Sequence, residues 1–588
     1  MKNYTHHNNE LRKNHINENV YLKGWVAKKR NLGGLIFIDL RDRFGITQLV
    51  VRPESPSYEE ASSVKSEYLI EAKGIVKLRE SVNPQLPTGE IEVDVLELSI
   101  INTAKIPPFT ISDKEAVSEE VALKYRYLDL RRPLQQQYIL KRSEITKNIR
   151  HSLEDLGFLE LETPYLVKTT PEGAKEFLVP SRLYHGEAYA LAQSPQIFKQ
   201  LYMVAGFERY FQIARCFRDE DLRSDRQLEF TQVDIEASFV DQDDIMSMTE
   251  KVIENLMKLL NKNIKFPLKR MSYKEAFDSY GSDKPDIRYE LKIENFNDTF
   301  KGFEIPIFKD KVLRGFTLEN NALFTRKYFD KLTEEVKKNH GDTLAYLKLE
   351  NGQLSGSISK FVNATIMKEN TVMLIIPGTY DGSTQAAGAI RKTIARDLGM
   401  IDESKDELLW VTDFPLLEYD ETENRFYAKH HPFTSPKDAN ELKNNPKDAL
   451  AKAYDLVWNG YEVGGGSIRI YDQEVQMLMF ETLGFTEEQI KEKFGFFVEA
   501  LQYGTPPHGG IALGLDRIVM LATKTENIKD VVAFPKTQSA KDLMMMSPSK
   551  VDEVSLKELG LKVEWEKLFL QVDVFGVLKL ILSNLKEL

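Results

Sequence analysis

At 588 residues, 42% of them hydrophobic, the chain is long enough to fill three or four domain cores. Its net charge of −11 excludes a generic nucleic-acid coat, so any RNA contact must come from local basic patches on an acidic body. The single cysteine, Cys216, excludes an internal disulfide framework and a multi-cysteine zinc site, and no run of about 18 apolar residues suggests a membrane span. The opening MKNYTHHNNELRKN carries no apolar core of the signal-peptide type, so a cytoplasmic setting is expected.

From about Val20 to Asn102, short runs such as Leu35–Leu40, Gln48–Val51 and Ile91–Val95 alternate apolar and polar residues between glycine-bearing turns. That pattern predicts a small all-β barrel, assigned to residues 1–110. Lys28, Lys29 and Arg30, followed by Phe37, Arg41, Arg43 and Gln48, give it a basic rim beside a candidate exposed aromatic. Barrels of the OB type bind single strands in this way, by stacking bases and tracking phosphates, although a solvated basic turn over a core phenylalanine has the same sequence. Pro107 and Pro108 end the pattern, and a linker is expected over 111–133.

A helical pattern starts near Leu134 and opens a segment assigned to 134–287. Within it, Arg209–Phe217 and Phe230–Ser238 read as two strands joined by a loop dense in arginines and acids. A hairpin turn needs two to five residues, so the longer charged loop points to a polyanion or metal, with a solvated salt-bridged loop as the plain alternative. Residues 288–403 interrupt the pattern with their own signals, a helix over Thr325–Lys338 and a strand over Val372–Ile376, and no chemistry is assigned to them.

The region 404–550 carries the remaining candidates. Asp455 and Glu462, seven apart, supply the hard oxygen ligands that Mg2+ prefers when it also holds phosphates. Gly464–Gly466 lead to Arg469, whose fork suits a carboxylate. His430 and His431 offer a tunable positive element, and Gly510–Gly514 read as a buried strand with no side chain on one face, where a flat ligand lies against backbone before Arg517. No G-x-G-x-x-G or Walker phosphate loop stands between a strand and a helix.

Leu159–Pro164, Phe217–Asp234 and Gly510–Arg517 resemble, in order and wording, the three signature motifs of class II aminoacyl-tRNA synthetases. With Tyr125–Arg131, Gln193–Gln200 and Gly504–Gly510 added, the chain is similar along most of its length to bacterial-type aspartyl-tRNA synthetases. The resemblance implies a multidomain α+β chain: an N-terminal OB-fold barrel that binds the anticodon, a catalytic domain of mainly antiparallel sheet in two halves, and a bacterial-type insertion between them; residues 551–588 are assigned to a C-terminal extension that matches no motif of the family. It implies ATP and L-aspartate as substrates, Mg2+ as cofactor, tRNA-Asp as partner and a homodimer built through motif one.

The resemblance also implies roles for single residues. Arg218 holds the attacking carboxylate and the α-phosphate, and acts with Glu220 and Arg517 as the catalytic set. Asp219, Gln227, Phe230, Glu462, Gly514, Leu515 and Asp516 complete an ATP site. Aspartate falls to Gln196, Ile197, Phe198, Lys199, Asp234, His430 and Arg469, with Glu172 on a mobile lid beside Gly173 and His430 protonated when substrate is bound. Arg30, Leu32, Phe37 and Gln48 read the anticodon, and Asp455 and Glu462 hold the metal. Ala512 and Asp516 depart from the glycine and glutamate of many class II enzymes but suit the aspartate branch. Arg469 argues against a lysine enzyme, and the insertion with the histidine pair argues against an asparagine enzyme. A non-catalytic RNA-binding paralogue is the alternative from another class. Leu32 leans toward charging of tRNA-Asp alone rather than tRNA-Asp and tRNA-Asn. The tail from about Leu561, apolar in part, is expected to form a packed or partner-bound strand and helix.

Overall fold

Burial falls on alternate residues of the first strand, Asn19–Leu32, which turns Val20, Leu22 and Val26 inward and lysines and aromatics outward. In the computed structural model, which describes residues 4–170 and 174–563, this strand joins Leu35–Arg41, Ile46–Val51, Ile91–Asn102 and Leu69–Leu78 in that spatial order to close a barrel. Ile38, Leu40, Leu49, Val76 and Val93 fill its interior. Gly74 is required where strands cross tightly, because a Cβ there would lie 2.3 Å from the Asp94 carbonyl oxygen. Glu172, Gly173 and the tail beyond Val563 lie outside the described residues.

Chain contacts divide the protein into Met1–Arg142 with Lys529–Pro548, which contains the barrel, and a second unit beginning at Ser143. The second unit is built on an eight-stranded sheet in the order Lys269–Ser272, Leu408–Thr412, Ala453–Trp458, Tyr461–Ile468, His508–Gly514, Glu229–Ser238, Arg209–Phe217, Leu159–Glu160. The inner pairings are antiparallel, and only the outermost pair at each edge is parallel. A parallel pair cannot be joined by a hairpin. At one edge the required crossover, from Lys269–Ser272 to Leu408–Thr412, contains the whole inserted segment.

That insertion has its own sheet, ordered Glu294–Asn295, Val312–Glu319, Thr371–Gly378, Ala345–Glu350, Gln353–Gly356. The central strand serves two cores by simple alternation. Val372, Leu374 and Ile376 pack with Leu332, Ile390 and Ile394 of the helices Arg326–Lys338 and Tyr380–Asp397, whereas Met373 and Ile375 pack with Phe296, Phe300 and Leu347. No helix among the described residues is long and apolar enough to cross a membrane.

Candidate active site

Gln232, Asp234 and Glu236 alternate along the strand Glu229–Ser238 with Val233, Ile235 and Ala237, so one face of the strand carries three polar side chains in a row. Helix Gln196–Val204 sets Lys199 against that face, and the strand Tyr461–Ile468 leads Arg469 to it. The result is a fully buried charge network. Lys199 Nζ lies 3.1 Å from Asp234 Oδ1 and 3.4 Å from Glu236 Oε2, and Arg469 donates from Nε and Nη2 to the two Glu236 oxygens at 2.8 and 3.0 Å.

Burial by itself would raise the pKa of Glu236, but Arg469 and then Lys199 outweigh it and hold the carboxyl below its usual range. For Asp234 burial wins over Lys199, and its pKa is raised. Arg469 also donates to Ser467 Oγ at 2.6 Å and meets His431 Nε2 at 2.8 Å, which requires that nitrogen to hold a lone pair. Burial, then Arg469, pushes His431 far below the ordinary histidine pKa, and burial followed by Lys429 takes His430 to about 4. With those shifts both rings are neutral at pH 7.

Two adjoining cavities open from this network. The first, of about 330 Å3, is lined by Gln196, Lys199, Asp234, His430 and Arg469 together with Asp283, Lys429, His431 and Asp455. The second, of about 250 Å3, is lined by Glu220, Asp225, Arg226, Gln227, Phe230, Gly514, Asp516 and Arg517. Arg218 and Glu462 line both and so stand at the junction. Six buried polar atoms in these walls have no hydrogen-bond partner among the described residues: Gln196 Nε2, Asp234 Oδ2, His430 Nε2, Asp455 Oδ1, Arg218 Nε and Arg517 Nε. Orphaned groups are rare in native interiors, and this concentration is what a site for a polar, charged ligand requires.

The glycines have separate jobs. A Cβ at Gly510 would fall 2.1 Å from Glu236 Oε2, so that glycine makes room for the buried carboxylate rather than for a flat ligand, as its sequence had suggested. At Gly465 a Cβ would meet Asp455 Oδ1 at 2.9 Å and Glu462 Oε1 at 3.4 Å, which shows both carboxylates converging over the strand. Burial and the charge of Glu462 raise the Asp455 pKa well above the usual value, a repulsion that a divalent cation between oxygen donors would relieve. At Gly514 the nearest neighbour stands 3.8 Å away, and there an open backbone does face the second cavity.

The charged loop and the helix Leu515–Thr523 supply the second cavity's cations. Arg218 lies over the Phe230 ring, 5.0 Å from its centroid, and Arg517 bonds Asp225 Oδ2 at 3.1 Å and the Glu462 carbonyl. Glu220 pairs with Arg226 at 3.2 Å. Asp516, although it borders the cavity, is 2% exposed and accepts the Thr231 backbone N–H at 2.9 Å, so its carboxylate ties helix Leu515–Thr523 to the neighbouring strand.

Not every residue expected at the site lines it. Ile197 packs in a core with Phe433, Phe480 and Phe494, Leu515 is buried, and Phe198 and Asp219 border neither cavity. The helical period separates Ile197 from Gln196 and Lys199, which share the inward face at i and i+3. Glu236, Asp225 and Asp283 stand at or against the site without having been singled out by the motif reading, whereas His431 was read there together with His430. Only Glu236 carried a local signal, its two-residue spacing from Asp234.

On the barrel, Arg30 pairs across strands with Phe37, and Asp39 with Gln48. Arg30 donates to Asp39 Oδ1 at 2.8 Å and Gln48 Oε1 at 3.3 Å, and Gln48 donates to Glu92 at 2.9 Å. Phe37 is half-exposed beside this network, and Leu32, 62% exposed, stands at the hairpin turn. A ring next to an arginine on an open barrel face is a stacking platform for a base.

Residues 118–538 match the family described as tRNA synthetases class II (D, K and N), and residues 20–101 match the OB-fold nucleic acid binding domain. An aspartate–tRNA(Asp/Asn) ligase of Anoxybacillus flavithermus is 50% identical, covering 95% of this chain and 98% of its own, and an aspartate–tRNA ligase of the Aster yellows witches'-broom phytoplasma is 49% identical, covering 95% and 99%. Among solved structures, the asparaginyl-tRNA synthetase of Pyrococcus horikoshii with asparaginyl-adenylate shares the fold at a TM-score of 0.57 and 20% identity, covering 90% of this chain and 97% of that one. The motifs, the antiparallel sheet that gathers them and these matches agree: the chain is an aminoacyl-tRNA ligase and belongs to the class II tRNA synthetases of the D, K and N group.

Proposed function

We infer that the chain is an aspartate–tRNA ligase, which joins L-aspartate to ATP as aspartyl-adenylate with release of pyrophosphate and then transfers the aspartyl group to tRNA-Asp. The observation that carries the choice of amino acid is the buried network of Arg469, Lys199, Glu236 and Asp234. A lysine side chain would bring a third cation against Arg469 and Lys199 there, and asparagine would offer them an amide where aspartate offers a carboxylate.

In this reading the side-chain carboxylate of aspartate lies toward Arg469 and Lys199, with Gln196, Asp234 and His430 around the rest of the molecule. Arg218, at the junction of the two cavities, holds the attacking α-carboxylate and an α-phosphate oxygen together. Phe230, Glu220, Gln227 and Gly514 take the nucleoside end, and Arg517 the triphosphate. Asp455 and Glu462 would hold Mg2+, which when bound neutralises phosphate charge. No protein nucleophile is needed, since positioning and charge stabilisation suffice for in-line displacement at phosphorus.

In this network each cation already lies against a carboxylate, Arg469 against Glu236 and Lys199 against Asp234. Adding a carboxylate to it favours protonation of His430, whose Nε2 faces the same cavity without a partner. With a pKa of about 4, His430 is unprotonated at pH 7, so aspartate binding should take up a proton and weaken as pH rises through the bound-state pKa. Calorimetry in buffers of different ionisation enthalpy measures this directly. A binding enthalpy independent of buffer would contradict the assignment.

The barrel serves as the anticodon-binding domain through Arg30, Phe37, Gln48 and Leu32. Phe37→Ala should lower tRNA charging by roughly tenfold, the scale of one lost base stack, while leaving tRNA-independent ATP–pyrophosphate exchange unchanged. Loss of both activities together would point instead to a packing role. Exposed Leu159, Leu166, Leu178, Leu183, Tyr184 and Tyr189 in and beside motif one support an isologous homodimer, and a monomer mass at micromolar concentration would argue against it.

The decisive experiment is ATP–pyrophosphate exchange with each of the twenty amino acids, followed by charging of tRNA-Asp and tRNA-Asn. Aspartate alone should support exchange, and with Leu32 at the turn transfer is expected to tRNA-Asp only. Transfer to both tRNAs would make the enzyme the relaxed type, and no exchange with any amino acid would favour a non-catalytic paralogue.

A further inference from the structure

Asp283 stands in the wall of the first cavity, yet the loop that carries it is held from outside the catalytic sheet. The loop leaves helix Tyr273–Tyr280 at Gly281, whose φ of 66° is left-handed, and runs to Tyr289 at the start of the insertion. Its near end touches the insertion helix Tyr380–Asp397 backbone to backbone. A Cβ on Gly388 would lie 2.4 Å from the Gly281 carbonyl oxygen, and a Cβ on Gly281 would lie 2.3 Å from that of Thr384. Neither position has room for any side chain.

Its far end is gripped by Arg391, three residues beyond Gly388 on the same helix and 3% exposed. Arg391 donates to the carbonyls of Asp286 at 3.1 Å, Tyr289 at 3.2 Å and Leu291, and to the Tyr289 hydroxyl at 2.8 Å. Its guanidinium lies 4.0 Å from the Tyr289 ring centroid and 4.8 Å from that of Tyr280. The acceptors are carbonyls and a hydroxyl, so this buried cation gives its fork to the loop's backbone rather than to a carboxylate. Asp286 in turn holds Arg288, which reaches Glu403 at 3.0 Å where the chain leaves the insertion, and the Asp286 Cβ abuts Gly460 in the turn between the strands of Asp455 and Glu462. Between these two grips the loop presents Asp283, whose nearby cation is Lys284 at 3.8 Å, to the cavity that also contains Lys429, His430 and Asp455.

We propose that the insertion helix is a positioning element for amino-acid activation: Gly388 and Arg391 fix the 281–289 loop so that the Asp283 carboxylate forms part of the aspartate cavity. The inference rests on the reading of that cavity as the amino-acid site. It gives the insertion a part in the step that precedes any contact with tRNA.

The test is aspartate-dependent ATP–pyrophosphate exchange without tRNA, using the full chain carrying Arg391→Lys, Gly388→Ala, Asp283→Asn or the pair Arg391→Lys with Asp283→Asn. Arg391→Lys keeps the charge but not the fork, and thermal unfolding shows whether each variant is folded. Each single change should raise the aspartate KM by about tenfold with kcat within about threefold and the ATP KM unchanged, as expected for a misplaced binding wall. The pair should be no worse than the more damaging single change, since both act through one carboxylate. Folded Arg391→Lys and Gly388→Ala enzymes with the wild-type aspartate KM would overturn the proposal, as would effects that multiply in the pair. Wild-type protein without exchange on any amino acid would instead remove the functional reading, and this inference with it.

Discussion

Arg218→Ala is expected to lower aspartate-dependent ATP–pyrophosphate exchange by at least about 3 kcal/mol, on the order of a hundredfold or more, through kcat more than through either KM. The reason is position. Arg218 is the arginine that lines both cavities, with its Nε buried and without a hydrogen-bond partner among the described residues. A planar fork there can bind the attacking carboxylate oxygen and a phosphate oxygen at once, whereas a lysine at the same place offers one point charge. Arg218→Lys should therefore recover only part of the loss. The side chain is half-exposed and rests on Phe230, so its removal should leave thermal stability nearly unchanged. Exchange at the wild-type rate in a folded Arg218→Ala protein would refute the assignment.

Arg469→Ala should raise the aspartate KM by more than a hundredfold while ATP binding survives, and unlike the first substitution it should also destabilise the second unit. Arg469 is 2% exposed and satisfies both oxygens of Glu236. Its loss leaves Glu236 buried with Lys199 at 3.4 Å as its remaining cation, a situation that costs about 3 to 5 kcal/mol. The two effects are separable. Combining Arg469→Met with Glu236→Gln removes both members of the pair and should recover most of the stability, because no uncompensated charge stays buried. Aspartate binding should not return with it. Retained aspartate affinity in either variant would place side-chain recognition elsewhere.

Much of the fold was legible because its signals are local. The readings Arg209–Phe217, Phe230–Ser238 and Leu35–Leu40 match strands to within a residue, and Gln48–Val51 and Ile91–Val95 fall inside the longer strands Ile46–Val51 and Ile91–Asn102. Within the candidate site, Arg218, Glu220, Arg517, Lys199, Asp234, Arg469, Asp455 and Glu462 all come to the two cavities. They were readable because each sits in a distinctive run of neighbours. Ile197 and Phe198 belong to the same run as Gln196 and Lys199, but a helix turns about 100° per residue, and that rotation takes Ile197 into the phenylalanine core.

The sequence by itself determined the elements, their order and the chemical types available, because periodicity, turns and motif wording are properties of neighbouring residues. Only the tertiary structure decided which charges answer one another. Arg469 and Glu236 are 233 positions apart, and nothing near either residue says that they share two hydrogen bonds. The same holds for Gly510, whose missing side chain serves Glu236, and for Arg391, whose partners begin about a hundred positions earlier across the boundary of the insertion. Such pairings depend on distance in space. In a buried, low-dielectric interior, that distance sets whether a histidine is neutral, whether a carboxylate holds its charge and which group is left free for the substrate.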